Sequence, residues 1–499
     1  MKKRSAYLLP GLAVLFLLPA CKKDWLSPAN ENILVATDST FLKPENATSF
    51  VTMVYNQLTV WNTATFSWIG VSSITSDDAD KGSSAGDNGG DKNLMDALTY
   101  TPTSGSVIEV WTGNYQGIKR ANEALANVPK YQIDAALKTR LLAEARFLRA
   151  YFYFTLVRTY GGVPIVDTAL DANNPADFER ANIRRTKEEV YAFIEEDLNY
   201  ALSILPTKQE YGAANIGRAS KGAAAALLAK VSMYQQKWDQ VLSLTNAIIA
   251  GTYGTYGLEP DFTRIWREVG ENGMESLFEV QGKGTVTLAG VQQYSQVQAM
   301  RGATFSGVTN AYSGWGFNTP SANLDSAFEA GDVRKNATII HIGDTLWDGV
   351  ILVNASNPRY NRKAYVSKTQ ETYSSDSYTN KNVRILRMGE VYLMNAEAAN
   401  EKDLPSQAQT SLNAVRNRAG LANTTAAAKA DLKTAIWNER RVELAMEHDR
   451  FFDLVRQGRA GTLMRAHGKA FIDGKHEVFP IPQTQIDNSG GIMKQNDKY

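Results

Sequence analysis

The chain has 499 residues, 53 Lys+Arg against 52 Asp+Glu, 43% hydrophobic residues and a single cysteine. That is enough apolar material for a sizeable core, and the near-neutral balance leaves no basic footprint for nucleic acid. One thiol cannot form an intrachain disulfide.

The N-terminus reads as a targeting segment. Lys2, Lys3 and Arg4 form a basic n-region, and Leu8 to Leu18 form an apolar run interrupted only by Pro10 and Gly11. This layout predicts a secretory signal over residues 1–20, and the run is short for a spanning helix. The lone Cys21 follows Ala20 directly, so Leu18-Pro19-Ala20-Cys21 resembles a bacterial lipobox. Lipidated Cys21 would hold the chain at a membrane, because each buried methylene contributes about 0.8 kcal/mol. Residues 21–40 then form a polar tether that carries Trp25. Loss of the signal removes three of the basic residues and leaves the mature chain close to neutral.

Beyond the tether, helical patterns dominate. A long helix is predicted over "SVIEVWTGNYQGIKRANEALANV", where Trp111 and Tyr115 share a core-facing stripe. In "KTRLLAEARFLRAYFYFTLVRTYGGVP", Leu141, Ala145, Leu148, Phe152 and Leu156 recur at three- and four-residue steps on one face. Gly161-Gly162 and Pro164 end that helix. Thr186 with Glu189 forms a capping box for the next. "GRASKGAAAALLAKVSMYQQKWDQVLSLTNAIIAG" predicts two helices joined at Lys237-Trp238. "MGEVYLMNAEAANEKDLPSQAQTSLNAVRNRAG" repeats that plan and stops at Gly420. Small residues on one helix let its partner approach closely, which is the logic of tetratricopeptide arrays. A last long helix is predicted over "AAAKADLKTAIWNERRVELAMEHDRFFDLVRQG". Its Glu439, Glu443 and Glu447 fall on one face, followed by Arg450, Asp453 and Arg456. Pairs such as Glu447 to Arg450 and Arg450 to Asp453 are expected to link along the helix, in a structural ion-pair network that also holds Trp437.

Two stretches break the helical texture. Residues 72–105 are polar and Gly-rich, and residues 251–385 are rich in Gly, Ser, Thr, Tyr and Asn with short apolar runs such as "ATIIHIGD". These predict loops with a few short strands. Loops this long on a rigid frame serve binding or are disordered. The overall expectation is a mainly α fold with helix pairs and a loop-rich face.

Catalytic signatures are missing from the chain. The histidines His341, His448, His467 and His476 make no metal-ligand spacing, and H-E-x-x-H, G-x-S-x-G, phosphate-loop and dinucleotide motifs do not occur. Asp78 and Asp80 raise the alternative of a calcium ion, but the EF-hand glycine and closing glutamate are not in place. No cofactor or metal is therefore expected. Trp61, Trp68, Trp266, Trp315 and Trp347 lie in or beside loops, where an aromatic face can serve a ligand instead of filling a core. In "NAYSGWGFNTP", Gly314 and Gly316 flank Trp315 and are expected to leave its ring uncrowded, with Tyr312 and Asn318 nearby. Asp77, Asp78 and Asp80, with Trp68 just before them, would face it, and Tyr294 and Arg301 complete the candidate ligand-binding set.

Five segments in order carry a family resemblance. "VWTGNYQGIKRANEAL" resembles a W-x-x-x-Y-x-x-I-x-x-A-N motif, and "AEARFLRAYFYFTLVRTYGGVPIV" resembles the most recognisable block of the same family. "LRMGEVYLMNAEAANE", "NERRVELAMEHDRFFDLVRQG" and "VFPIPQTQIDNSGGIMKQNDKY" resemble its later motifs, with Gln485 and Asp497 as departures. The family is that of SusD/RagB outer-membrane nutrient-binding lipoproteins. The resemblance implies a SusD-like fold of tetratricopeptide-like helix pairs with a loop-rich ligand face. Residues 41–235 would be its N-terminal region and 236–499 its C-terminal region, together one compact domain. It implies a lipid-anchored protein on the outer membrane, facing the cell exterior. Such a protein captures oligosaccharides, does not cleave them, and delivers them to a SusC-like TonB-dependent transporter. It also implies that the Trp315 segment aligns with a stretch that supplies an aromatic platform in some members. Alternatives are oligopeptide capture, as in the RagB branch, a surface hydrolase, or a protein-interaction scaffold.

Overall fold

The structure is a computed structural model that describes residues 43–171, 173–282, 291, 293–307 and 311–499. The signal, Cys21 and the tether with Trp25 lie outside the described residues.

Local sequence explains where the helices begin and end. After α1 (Pro44–Gln57) come α2 (Gly105–Asn127) and α3 (Ala135–Tyr160). The Asp134 carboxylate caps α3 by accepting from Leu137 N at 2.9 Å, and Gly161 ends it at φ +76°. Helix α4 (Lys187–Ile204) starts with the predicted capping box, Thr186 and Glu189 each bonding the other's backbone N–H. Helices α5 (Lys221–Tyr234) and α6 (Trp238–Ile249) turn at Lys237 as predicted. Next are α7 (Met388–Glu401) and α8 (Pro405–Arg418), with Gly420 just beyond at φ +76°.

These helices stack in sequence order: α2 on α3, α3 on α4, α4 on α5, α5 on α6, α6 on α7 and α7 on α8. Small residues set the spacing. Ala223 to Ala226 and Ala229 of α5 are all fully buried. A Cβ on Gly117 of α2 would fall 2.5 Å from the Phe152 ring of α3, so glycine is what admits that ring. Trp111 is buried and packs edge to face on Tyr160 with centroids 5.1 Å apart, as a core residue.

The last predicted helix is two helices. α9 (Lys429–Glu443) and α10 (Arg450–Arg456) are separated by a turn in which Met446 and His448 have φ of +64° and +72°. The apolar spacing continues across 444–449, but tertiary bonds favour the break. They place Asp449 against Lys230 at 2.6 Å and Arg158 at 2.9 Å. The charged residues accordingly pair across the fold more than along the helix. Glu443, fully buried, accepts from Arg334 at 2.9 Å and also binds Arg387 and Arg418. Glu447 binds Lys363 and Arg387, both at 2.7 Å. Arg450 pairs with Asp77 at 2.8 Å, and of the expected local type only Asp453–Arg456 forms an ion pair, at 2.7 Å. Burial pushes the Glu443 carboxyl up, but the three guanidiniums outweigh it and hold it well below the usual range.

The loop-rich stretches are ordered by short antiparallel pairs. β1 (Ala79–Gly82) joins β3 (Phe317–Pro320), and β2 (Ser276–Val280) joins β4 (Val383–Arg387), which runs directly into α7. "ATIIHIGD" supplies the short strand Ile339–His341. Beneath these loops lies a small core of their own, including Met300, Tyr312, Leu352, Tyr360 and Tyr365. The described part of residues 251–385 is thus packed on its own apolar centre, which answers the disordered alternative for that part.

Candidate functional site

The early insert and the Trp315 loop meet along one seam. In the β1–β3 pair Asp80 lies opposite Thr319 and Gly82 opposite Phe317. The Ser83 amide extends it by donating to the Gly316 carbonyl at 2.6 Å.

Aromatic rings cluster at this seam. Phe66 and Phe317 are buried and meet edge to face with centroids 4.7 Å apart. Over them lie the half-buried Trp61 and Trp315, 6.1 Å apart with planes inclined by 56°. Each tryptophan also contacts Phe66, at 5.2 Å and 6.1 Å. The result is an aromatic patch with a buried floor and two partly exposed rings. Such rings offer flat apolar faces to a ligand without having to move.

The backbone around Trp315 is held against the helix Tyr294–Gln298. The Trp315 amide donates to Gln296 O at 2.8 Å, and the Gly314 amide to Met300 O at 3.0 Å. A Cβ on Gly314 would sit 2.1 Å from Gln296 O. Gly314 therefore serves close backbone approach rather than clearance for the ring, and Gly316 serves a turn at φ +74°. Polar groups border the patch. Gln296 Oε1 accepts from Gln293 Nε2 at 3.0 Å and Ser377 Oγ at 2.9 Å. Arg301, which lies beside Gly316, pairs with Asp87 at 2.6 Å, both partly exposed.

The other predicted residues divide by burial. Asp80 is at the surface, 3.4 Å from His467 Nε2. Asp77 and Asp78 are each 2% exposed and clasp two arginines. Asp77 takes Arg450 at 2.8 Å through both oxygens, and Asp78 takes Arg441 at 2.7 Å. Burial raises both carboxyls. For Asp77 the Arg450 hydrogen bonds and the nearby positive charges prevail and bring it down to about 2, whereas for Asp78 burial prevails. With guanidiniums in front of these oxygens the clasp is structural, and its field opposes a dication; among the described residues no carboxylate or histidine cluster suits a metal.

Trp68, Tyr312, Asn318 and Tyr294 are all buried, which corrects their expected place at a ligand surface. Trp68 stacks on Phe452 at 5.6 Å, because its short helix turns that face into the core. Tyr312 donates to Asp376 O at 2.6 Å. Asn318, at φ +57°, donates to Gln298 Oε1 at 2.8 Å. The Tyr294 hydroxyl lies 3.1 Å from His448 Nε2. They hold the face from beneath. Among the other loop tryptophans, Trp266 is buried and Trp347 lies under Arg267, 4.0 Å from its ring centre. The parts that sequence reasoning missed are Phe66, Phe317, Gln296, Ser377 and Asp87. Trp61 stood among the loop tryptophans, but nothing in the chain's order pairs it with Trp315.

A stack of helix pairs that carries an aromatic and polar face on packed loops defines a helical-repeat protein with a loop-built surface. The profile of the SusD family matches residues 348–499, and one described as "starch-binding associating with outer membrane" matches residues 30–233. The chain belongs to the SusD family. Among curated relatives, SusD-like protein P2 of Formosa agariphila is 27% identical over 448 residues, 83% of this chain and 85% of that protein. A SusD-like protein of Bacteroides ovatus is 27% identical over 371 residues, 69% of this chain and 64% of its own length. Among solved structures, a laminarin binding SusD-like protein superposes with a TM-score of 0.77 at 29% identity, covering 91% of this chain and 99% of its own. Surface glycan-binding protein A from Bacteroides fluxus gives 0.77 at 25% identity, covering 92% and 100%. The mainly α, SusD-like fold expected from the sequence is the fold observed.

Proposed function

We propose that this chain is a surface glycan-binding lipoprotein that captures oligosaccharides and delivers them to a SusC-like TonB-dependent transporter without cleaving them. Residues 1–20 are its signal and 21–40 its tether, with Cys21 carrying the lipid at the outer membrane and the binding face directed outward. The observation that carries the binding reading is the half-buried pair Trp61 and Trp315 over Phe66 and Phe317. Its polar border of Gln293, Gln296, Ser377, Arg301 and Asp87 suits the hydroxyl rim of a sugar. A solved relative at 29% identity is described as laminarin binding, which supports a glycan over a peptide. The capture role without cleavage is supported by the carboxylates near the patch. Asp77, Asp78, Asp80 and Asp87 are each engaged by Arg450, Arg441, His467 or Arg301, whereas a glycosidase needs two carboxyls set across a scissile bond.

The test is calorimetric titration of residues 22–499 with laminarin, starch, xylan and host-type oligosaccharides, alongside Trp61→Ala and Trp315→Ala. One glycan class should bind with a micromolar to millimolar constant, about 4 to 8 kcal/mol, and each variant should weaken it at least tenfold. The bound oligomer should be recovered uncut, and a barrel protein should co-purify after mild detergent extraction. Binding of oligopeptides in place of every glycan, or glycan binding indifferent to both tryptophans, would refute the reading.

A further inference from the structure

A cavity of about 400 Å³ lies among the repeat helices, lined by residues of α3, α4, α5, α6, α7, α9 and α10 and by Glu477 and Val478. None of its lining residues belongs to the Trp61–Trp315 patch. Trp238, at the start of α6, is half-buried on its wall, and Tyr191, Tyr234 and Trp437 bring three more aromatic side chains. Most of the charges on the wall are spent on one another. Glu397 accepts from Arg456 at 2.7 and 2.9 Å and from the Trp437 indole at 2.9 Å. Glu401 binds Lys433 at 2.5 Å. Four cationic side chains face three carboxylates in all, so the cavity favours neither an anion nor a further cation.

Four polar atoms of the lining residues have no hydrogen-bond partner among the described residues: the Tyr191 hydroxyl, on a side chain 2% exposed, the Tyr234 hydroxyl, Arg158 Nε and Glu477 Oε2. A buried polar atom left unpaired forfeits its hydration, so native sites supply a partner. The carboxylate oxygen can only accept, while the phenols can donate or accept. Arg158 Nε can only donate, so groups that both donate and accept, such as sugar hydroxyls, match this mixed set, and the aromatic walls suit the C–H face of a ring. The volume is at the lower end for ligand pockets, the size of one or two sugar rings.

We propose that this cavity is a second binding site, for a small neutral saccharide, built into the helical frame and separate from the loop face. It is tested by titrating residues 22–499 with glucose, cellobiose and laminaribiose, followed by calorimetry and tryptophan fluorescence. The unsubstituted protein is compared with Tyr191→Phe, Trp238→Ala and Trp315→Ala, with circular dichroism as the check on folding. At least one sugar should bind with a millimolar constant. Its affinity should fall at least tenfold in Trp238→Ala and about threefold or more in the near-isosteric Tyr191→Phe, and should be unchanged in Trp315→Ala. No binding by any of the three sugars overturns the proposal. So does binding that ignores both Tyr191→Phe and Trp238→Ala, or that is lost only in Trp315→Ala. Failure of the loop face gives the opposite pattern, with long-glycan binding indifferent to Trp315→Ala and these small sugars unaffected.

Discussion

Glu443→Gln is the perturbation that best tests how the loop-built face is fastened to the helices. Glu443 ends α9, has no exposed surface, and receives Arg334 and Arg387 from the loop-rich half and Arg418 from α8. Glutamine keeps the shape but removes the charge and one acceptor. Three buried guanidiniums then lose a shared counter-charge. Removing one partner of a buried pair costs about 3–5 kcal/mol. Neighbouring acids still compensate in part: Glu275 holds Arg387 and Arg418 at 2.9 and 2.8 Å, and Asp332 holds Arg334 at 2.7 Å. The expected loss is therefore at the low end, about 3 kcal/mol. The control is Asp473→Asn, which breaks the exposed Arg465–Asp473 pair, 47% and 67% exposed, and should cost about 0.5 kcal/mol or less. Urea unfolding of residues 22–499 followed by far-ultraviolet circular dichroism reads both. A loss below about 1 kcal/mol for Glu443→Gln with an unchanged urea slope would show that the network is not what couples the two halves.

Two further outcomes rest on particular residues. His448 is buried and brought down to about 4, mainly by desolvation, below its unfolded value near 6.5. The unfolded state then binds more protons between these values, so the stabilisation is fully present above about pH 6.5 and is lost as pH falls toward 4. The span corresponds to about 3 kcal/mol, and His448→Gln should flatten that part of the stability–pH curve; an unchanged slope would contradict it. Gly314→Ala should push the Trp315 loop off the helix Tyr294–Gln298, because its Cβ has no room beside Gln296 O. Glycan affinity should drop at least fivefold while the helical circular dichroism is retained, and full affinity would mean that the loop can shift at no cost to the patch.

Much of the frame was legible in the chain because its determinants are local. The capping box at Thr186, the stop at Gly161, the turn at Lys237 and the alanine run of α5 act within a few residues. Their spacing reports helices and close packing before any tertiary contact is known. The family motifs are likewise continuous in sequence, so membership could be read from them. The break between α9 and α10 could not, since both sides keep helical periodicity and only Lys230 and Arg158, brought in from α5 and α3, reward the turn that delivers Asp449. The ion network shows the same limit: the row of glutamates was visible, but its arginines come from distant segments. The binding face depended on tertiary structure most of all. An aromatic residue in a loop has the same local signature whether its ring is buried, as in Trp68 and Tyr312, or half-exposed, as in Trp315. Burial is set by what packs on the other side, here Phe452 against Trp68 and Tyr373 against Tyr312. Helix ends and family motifs are written locally along the chain. The tertiary fold decided which aromatics remain for a ligand, because exposure belongs to the packing of distant segments.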